Sequence, residues 1–399
     1  MANMHDYLRW RGDLTFGERS FNDVDNLVLS AFAYLDLSGI VPTEGQGGSI
    51  GLREACRKLL AKAGGDVAPY VRSFAKVDTS FTELVGESQR FGDARLSAYA
   101  DVVDKKRALQ FAALRIGLPQ AGTYVAFRGT DTTLAGWREN FMISFRVTAA
   151  QQEALEYLRR TIECMGESDE CIRVGGHSKG GNLAEYAAAR CPEFLRERIT
   201  QVYSNDGPGT ALEVLKQSPR VTLGSRLRLI VPSFSVIGML FARKNERRTI
   251  VASPASGIEQ HDITTWQVLR DGVLEVRELQ PDCIALNEAI ASWASGIPLV
   301  ERERITNEIF DALQAGGATT FEQITSAPDK LQRVLRALSE TDERTRSIFL
   351  EFVQRAASSE VNAALNAAAK SVEDAGRRLR GNKAKSSGDI QVRRDKISG

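Results

Sequence analysis

Short apolar blocks separated by polar turns fill the middle of the chain. Six of these blocks predict β-strands, because they are short and rich in β-branched and aromatic residues. They lie at residues 108–116, 123–129, 171–176, 198–204, 225–232 and 247–253. Residues 149–164 and 180–191 lie between these blocks and predict helices. Strands that alternate with helices favour a mainly parallel sheet covered by helices.

The start of the chain also has helical spacing. Residues 22–37 place apolar side chains at Leu27, Ala31, Tyr34 and Leu35. Asn22 or Asp23 is the expected N-cap, and a second helix is expected near residues 49–63. Asp23 and Asp25 are also candidates for a pair of metal ligands. Capping and a solvated helix face explain these two carboxylates better.

Beyond Pro298 the pattern becomes wholly helical. Apolar residues recur at four-residue spacing through Ile305, Ile309 and Leu313, and again through Leu331, Val334, Leu335 and Leu338. Residues 347–353 and 356–369 continue this pattern. We therefore expect a domain over residues 1–298, a helical extension over 299–380 and a disordered basic tail over 381–399.

Composition and charge narrow the function classes. The chain is 43% hydrophobic and 26% charged, which suits a folded core. Its net charge of +1 argues against a chain-wide basic surface, so we expect no specific nucleic acid partner. Residues 377–399 carry eight basic and two acidic residues. These basic residues predict either a solubilising segment or transient contact with an acidic membrane surface or with nucleic acid.

The cysteines and the N-terminus predict a cellular location. The five cysteines are scattered without a CxxC pair, which favours a reducing compartment. The first residues show no apolar signal-peptide core, and the apolar stretch 229–242 is too short to span a bilayer. We expect a cytoplasmic protein. Three histidines without paired cysteines argue against a structural zinc site.

The strongest chemical motif is Gly176-His177-Ser178-Lys179-Gly180, between an apolar strand and a helix rich in small residues. G-x-S-x-G in this context predicts a nucleophile elbow, a tight turn that exposes a serine above the sheet edge. Gly176 and Gly180 allow the close backbone approach that the turn needs. The backbone N–H of Lys179 is then placed to bind an oxyanion. The alternative is a glycine-rich turn with an inert serine.

A serine nucleophile needs a base and an acid. His177 is adjacent to the serine and His5 lies at the extreme N-terminus, so His261 is the expected base. It also follows the serine in the order that α/β-hydrolases use. Asp206, in a turn after the strand 198–204, is the expected acid. The alternatives are an Asx turn at Asp206, an acid at Asp262, or a polar group such as Ser233 or Ser235.

A second segment, FRGTD at residues 127–131, ends the strand 123–129. A chain turn at Thr130 is expected to supply the other half of an oxyanion hole. The alternative is a simple strand exit. Its position 48 residues before Ser178 favours the catalytic interpretation.

FRGTDTTLAGW followed by VGGHSKGGNLAEYAA resembles the class 3 (fungal-type) lipase-like α/β-hydrolases. The opening residues, SNDGPG and IVPSFSVIGML resemble a bacterial branch of that group, and the resemblance covers residues 5–275. It implies an α/β-hydrolase fold with a helical C-terminal extension. It also implies Ser178 as nucleophile, His261 as base, and Thr130 and Lys179 at the oxyanion hole.

The sequence departs from that family at two positions. Fungal-type lipases carry the catalytic Asp after the strand that matches LRLIVP, but residues 224–244 contain no Asp or Glu here. Asp206 is then the natural substitute, or the triad is incomplete. Lys179 replaces a typical Leu, and its charge predicts either an anionic substrate or a side chain in solvent.

These patterns favour a serine hydrolase that cleaves a lipid-like carboxylic ester, with no metal or organic cofactor. The alternative is a catalytically impaired hydrolase-fold protein that binds a lipid or protein partner. Residues 233–242 predict either a lid or acyl-chain wall, or a buried helix on the sheet.

Overall fold

The structure is a computed structural model of the whole chain. It describes residues 2–347 apart from 74, 105–108, 130–132, 144–145, 167–169, 211–218, 241, 243–245, 296, 320–322, 324–327 and 344. The expected disordered tail and the helical pattern beyond residue 347 lie outside the described residues.

Within the described residues one sheet of eight strands runs in chain order. The strands are β1 (Ile50–Gly51), β2 (Arg95–Asp104), β3 (Leu109–Leu118), β4 (Gly122–Phe127), β5 (Ile172–His177), β6 (Ile199–Asn205), β7 (Leu227–Pro232) and β8 (Thr249–Val251). β1 to β4 pair antiparallel, and β4 to β8 pair parallel. All six predicted strands are confirmed, whereas β1 and β2 were not predicted.

Helices precede, separate and follow the strands. They are α1 (Met4–Arg11), α2 (Asp23–Phe32), α3 (Leu52–Lys62), α4 (Thr79–Glu87), α5 (Gln89–Gly92), α6 (Leu134–Met142), α7 (Ala149–Cys164), α8 (Lys179–Arg190), α9 (Glu193–Arg196), α10 (Pro219–Leu223), α11 (Pro281–Ser295), α12 (Leu299–Gln314) and α13 (Pro328–Glu340). The sequence sets several of the starts. Asn22 caps α2 and Thr148 caps α7, each in a capping box that ties up the free N–H groups of the first turn.

The core has two layers because strand side chains alternate between the faces of the sheet. In β4, Tyr124 and Ala126 pack with the N-terminal helices, and Val125 and Phe127 pack with α7 and α8. The sheet is therefore covered on both faces. A mainly parallel sheet between two helical layers is the α/β-hydrolase architecture that the sequence predicted.

The chain forms two compact units, Met1–Thr306 and Asn307–Gly399. The first contains the sheet and its two cores. In the second, α13 buries Val334 and Leu338, which are four residues apart as an amphipathic helix requires. The predicted domain boundary at residue 298 stays a prediction. Among the helices described here, none is long and apolar enough to cross a membrane.

A buried ion pair between Asp25 of α2 and Arg90 of α5 fixes the N-terminal segment to α5. The Arg90 guanidinium donates two hydrogen bonds of 2.6 Å to the Asp25 carboxylate, and the Tyr7 hydroxyl donates a third at 2.7 Å. Arg90 also donates to backbone carbonyls of Leu14, Arg19 and other residues of the loop between α1 and α2. The solvated face expected for Asp25 is wrong, because this carboxylate is fully buried.

Replacing Arg90 with Met leaves the Asp25 carboxylate buried without its cation. We expect a loss of about 3–5 kcal/mol in the free energy of unfolding, whereas Arg9→Met, at an exposed ion pair, changes it by less than about 1 kcal/mol. Urea unfolding followed by circular dichroism measures both. The double variant Arg90→Met/Asp25→Leu should recover part of the loss, and equal stability of the two single variants would contradict this role.

Candidate active site

The turn between β5 and α8 has the geometry of a nucleophile elbow. Ser178 has φ 57° and ψ −129°, a backbone conformation that residues other than glycine rarely adopt. A Cβ at Gly176 would lie 2.5 Å from the Phe127 carbonyl oxygen, and one at Gly180 would lie 2.1 Å from it. Both positions therefore require glycine. The tight turn that the motif predicted is present.

The register of the parallel strands brings the predicted serine and acid to one edge of the sheet. His177 at the end of β5 pairs with Asn205 at the end of β6. Ser178 and Asp206 each follow these residues directly. The Ser178 N–H donates to the Asn205 carbonyl at 2.9 Å, which fixes the start of the turn beside the end of β6.

Ser178, His261 and Asp206 form one line of hydrogen bonds. His261 Nε2 lies 3.0 Å from Ser178 Oγ, and His261 Nδ1 lies 2.6 Å from Asp206 Oδ2. Because the carboxylate only accepts, Nδ1 carries the proton and Nε2 accepts from the serine hydroxyl. All three side chains are buried. The three residues that the sequence selected are thus in direct contact.

The other oxygen of Asp206 is held by the chain after β7. Asp206 Oδ1 accepts from Ser235 Oγ at 2.5 Å and from the Gly238 N–H at 3.1 Å. The carboxylate therefore does not form the Asx turn considered from sequence. Asp262, the other acid considered, accepts from Thr264 and Lys76 instead. Ser233, also considered, donates to Gln260.

A buried polar cluster between α2 and the sheet supports the end of β6. The Asn205 side chain donates to Asn26, Ser30 and the Gly176 carbonyl, and it accepts from Asn26. The Tyr124 hydroxyl donates to Asn26 at 2.8 Å. Sequence reasoning missed this cluster. Polar residues at 26 and 30, on the apolar face of α2, were the available signal.

His177 packs against the ring of His261. Its ring centroid lies 4.6 Å from that of His261, and its Nδ1 lies 2.8 Å from the Tyr34 hydroxyl. Burial, and then the neighbouring His261, lower the pKa of His177 well below its usual value. His177 is therefore a neutral side chain that forms one wall of the site.

Neither of the surroundings predicted for the Lys179 side chain is found. The side chain points neither into solvent nor toward a free anion site, because it is 1% exposed. Its ammonium donates to Glu139 of α6 at 2.7 Å and to the Gln110 carbonyl of β3 at 2.8 Å. The backbone N–H of Lys179 lies in the first turn of α8, where N–H groups have no acceptor within the helix.

The other predicted features fall partly outside the described residues. Thr130 lies outside them, so its place in an oxyanion hole stays a prediction. Just before it, Arg128 donates two hydrogen bonds to Asp101 of β2 and anchors the end of β4. Trp137 of α6 lies against His261, with ring centroids 6.2 Å apart.

Two further expectations concern the loop after β7 and metal binding. The described part of residues 233–242 contains no helix and is buried apart from Met239 and Ala242, which are half-buried. Of the two alternatives, the buried helix is therefore wrong, and the lid or acyl-chain wall stays a prediction. The chemical contribution of this loop is the pair of donors to Asp206. His5 lies on α1, where it contacts Asp78. Within the described part of the chain, no group of three His, Cys, Asp or Glu side chains is arranged to hold a metal ion.

Comparison with known proteins finds a family model that matches this chain. A family model described as Mbeg1-like matches residues 85–311, more than half of the chain. Among solved structures, the crystal structure of M37 lipase is similar to this chain, with 15% sequence identity and a TM-score of 0.35. That similarity covers 54% of this chain and 68% of the M37 lipase chain. None of the curated proteins matches.

The buried, neutral His177 predicts a pH dependence of stability. Its pKa is depressed in the folded chain, so below about pH 6.5 the unfolded chain takes up a proton that the folded chain does not. Acidification then lowers the free energy of unfolding by up to about 1.4 kcal/mol per pH unit from this residue. In His177→Asn that part of the slope should disappear.

Urea unfolding of wild type and His177→Asn at several pH values between about 7 and 5 measures the difference. Parallel stability curves for the two proteins would show that His177 does not carry this dependence.

Proposed function

Because the chain belongs to the Mbeg1-like family, a lipase-like family, we propose that it is a serine hydrolase that cleaves a lipid-like carboxylic ester. The observation that supports this most is the line of hydrogen bonds from Ser178 Oγ through His261 to Asp206. A serine hydroxyl is a weak nucleophile until an adjacent base can take its proton. Nε2 of His261, at 3.0 Å, is within reach for that transfer.

In the acylation step, Ser178 Oγ forms a bond to the ester carbonyl carbon while its proton moves to His261 Nε2. The carbonyl π electrons move onto the oxygen, which becomes an oxyanion. When this intermediate collapses, the bond to the leaving alcohol breaks and His261 gives the alcohol its proton. The ester's acyl group is then bound to Ser178.

In deacylation, a water molecule takes the place of the alcohol. His261 accepts a proton from the water, whose oxygen attacks the acyl carbon. Collapse releases the carboxylic acid and returns the proton to Ser178. Asp206 holds Nδ1 of His261 throughout, so that Nε2 faces the serine, and it stabilises the cationic imidazole in both steps.

Backbone donors bind the oxyanion in this proposal. The Lys179 N–H is one donor, helped by its position at the positive end of α8. The second donor is the backbone N–H of Thr130, as the family resemblance implies. The side-chain ammonium of Lys179 takes no part, because Glu139 and Gln110 already hold it.

The alternative of an impaired, ligand-binding protein depended on the missing acid after β7. Asp206 at the end of β6 supplies a carboxylate in contact with His261, which removes that reason. The lipid-like substrate, the cytoplasmic location and the membrane contact of residues 381–399 stay predictions from the sequence.

Hydrolysis of a p-nitrophenyl ester tests the proposed roles. We expect Ser178→Ala to lower kcat by at least about 1,000-fold and Asp206→Asn by about 1,000- to 10,000-fold, since each removes a member of one catalytic unit. The matched control is Ser204→Ala, which should keep wild-type turnover. Ser204 is a buried serine of β6, two residues before Asp206. Thermal melts confirm that each variant is folded.

Ester turnover by Ser178→Ala close to that of wild type would overturn the nucleophile assignment. Full activity in Asp206→Asn would instead leave Ser178 in place and remove Asp206 as the acid.

A further inference from the structure

Ser235 contacts Asp206, the predicted acid, from the loop that follows β7. It lies three residues beyond Pro232, the last residue of β7, the strand after which fungal-type lipases carry their Asp. Its hydroxyl donates to Asp206 Oδ1 at 2.5 Å, and the Gly238 N–H donates to the same oxygen at 3.1 Å. The side chain of Ser235 is fully buried.

The backbone of Ser235 is itself fixed by α11. Its N–H donates to Cys283 Sγ at 3.2 Å, and its carbonyl accepts from the Cys283 thiol at 3.3 Å and from Asn287 Nδ2 at 3.2 Å. Burial raises the pKa of Cys283 to about 11, so the thiol keeps the proton that it donates. The Ser235 hydroxyl therefore meets Asp206 from an anchored position.

We propose that Ser235 is a positioning residue for the Asp206–His261 pair and that it allows an acid directly after β6 to orient the base in this fold. The proposal rests on the proposed function. A buried carboxylate needs donors on both oxygens, and its rotation decides which oxygen faces the base. Ser235 and Gly238 hold Oδ1, which leaves Oδ2 directed at His261 Nδ1.

Gly238 is required for the same contact. A Cβ at this position would lie 2.2 Å from Asp206 Oδ1, so any larger residue would displace the carboxylate or the loop. Two residues of the loop after β7 thus donate to the carboxylate of Asp206, Ser235 through its side chain and Gly238 through its backbone.

Two substitutions separate the hydrogen bond from packing. Ser235→Ala removes the donor and leaves a small void, whereas Ser235→Cys nearly keeps the volume but donates only weakly. If Ser235 acts through its hydrogen bond, both variants should lower kcat for a p-nitrophenyl ester by about 10- to 100-fold. Wild-type turnover in Ser235→Cys would show that Ser235 only fills space.

Ser204→Ala is the matched control for these variants. Ser204 is 2% exposed and lies on the same edge of the sheet, but its hydroxyl has no hydrogen-bond partner among the residues that the structure describes. Its loss should change turnover less than twofold. Equal turnover of Ser204→Ala and Ser235→Ala would overturn the proposal.

Low-field proton NMR gives a readout that does not depend on turnover. The Nδ1 proton of His261, in its 2.6 Å bond to Asp206, should give a strongly deshielded resonance that Asp206→Asn abolishes. We expect this resonance to shift or vanish in both Ser235 variants and to stay unchanged in Ser204→Ala. An unchanged resonance in both Ser235 variants would overturn the proposal.

The two readouts distinguish failure of this proposal from failure of the proposed function. Wild-type turnover with no effect of Ser235 on rate or resonance would overturn the positioning role and leave the hydrolase intact. A resonance that responds to Ser235 in a chain without ester turnover would support the positioning role and overturn the proposed function. Absence of the resonance in wild type would overturn the Asp206–His261 pair itself.

Discussion

The strained turn at Ser178 is the constraint on which the rest of the site depends. Holding a non-glycine residue at φ 57° and ψ −129° costs about 1–3 kcal/mol, which the surroundings must offset. The Phe127 carbonyl lies so close to Gly176 and Gly180 that no side chain fits there. The Asn205 carbonyl holds the Ser178 N–H, and the Asn205 side chain holds Gly176. The buried cluster that includes Asn26 and Ser30 is thus a support for this turn.

The contact between Asp206 and His261 follows from the strand order. β6 lies between β5 and β7, so the residue after β6 lies beside Ser178 and also beside the chain leaving β7. A carboxylate directly after β6 can therefore reach His261. The chain leaving β7 keeps a part in the site, since Ser235 and Gly238 donate to Asp206.

The sequence alone predicted the parallel strands, α7, α8 and the three residues now found in contact. Each of these follows from local patterns, such as apolar blocks, small residues after the turn, and a scarcity of histidines. The strand β2 was missed because a bulge between Ser97 and Ala100 breaks its alternation and its second half is partly exposed. Local patterning carries no information about such a register shift.

Long-range pairing explains the remaining differences. The buried ion pair of Lys179 was not predicted, because its partner, Glu139, lies 40 residues earlier on another helix. The contacts of Tyr34 with His177 and of Ser235 with Asp206 join segments that are far apart in the chain. A serine in an apolar turn becomes informative only once the sheet places it beside a buried carboxylate.

The central claim is that His261 and Asp206 activate Ser178. Treatment with a fluorophosphonate, followed by intact-mass and peptide analysis, tests this most directly, because such reagents react covalently with activated serines. We predict one adduct on wild type, located on the peptide that contains Ser178, and none on Ser178→Ala. A folded wild-type protein that forms no adduct, or forms it on another residue, would contradict the account.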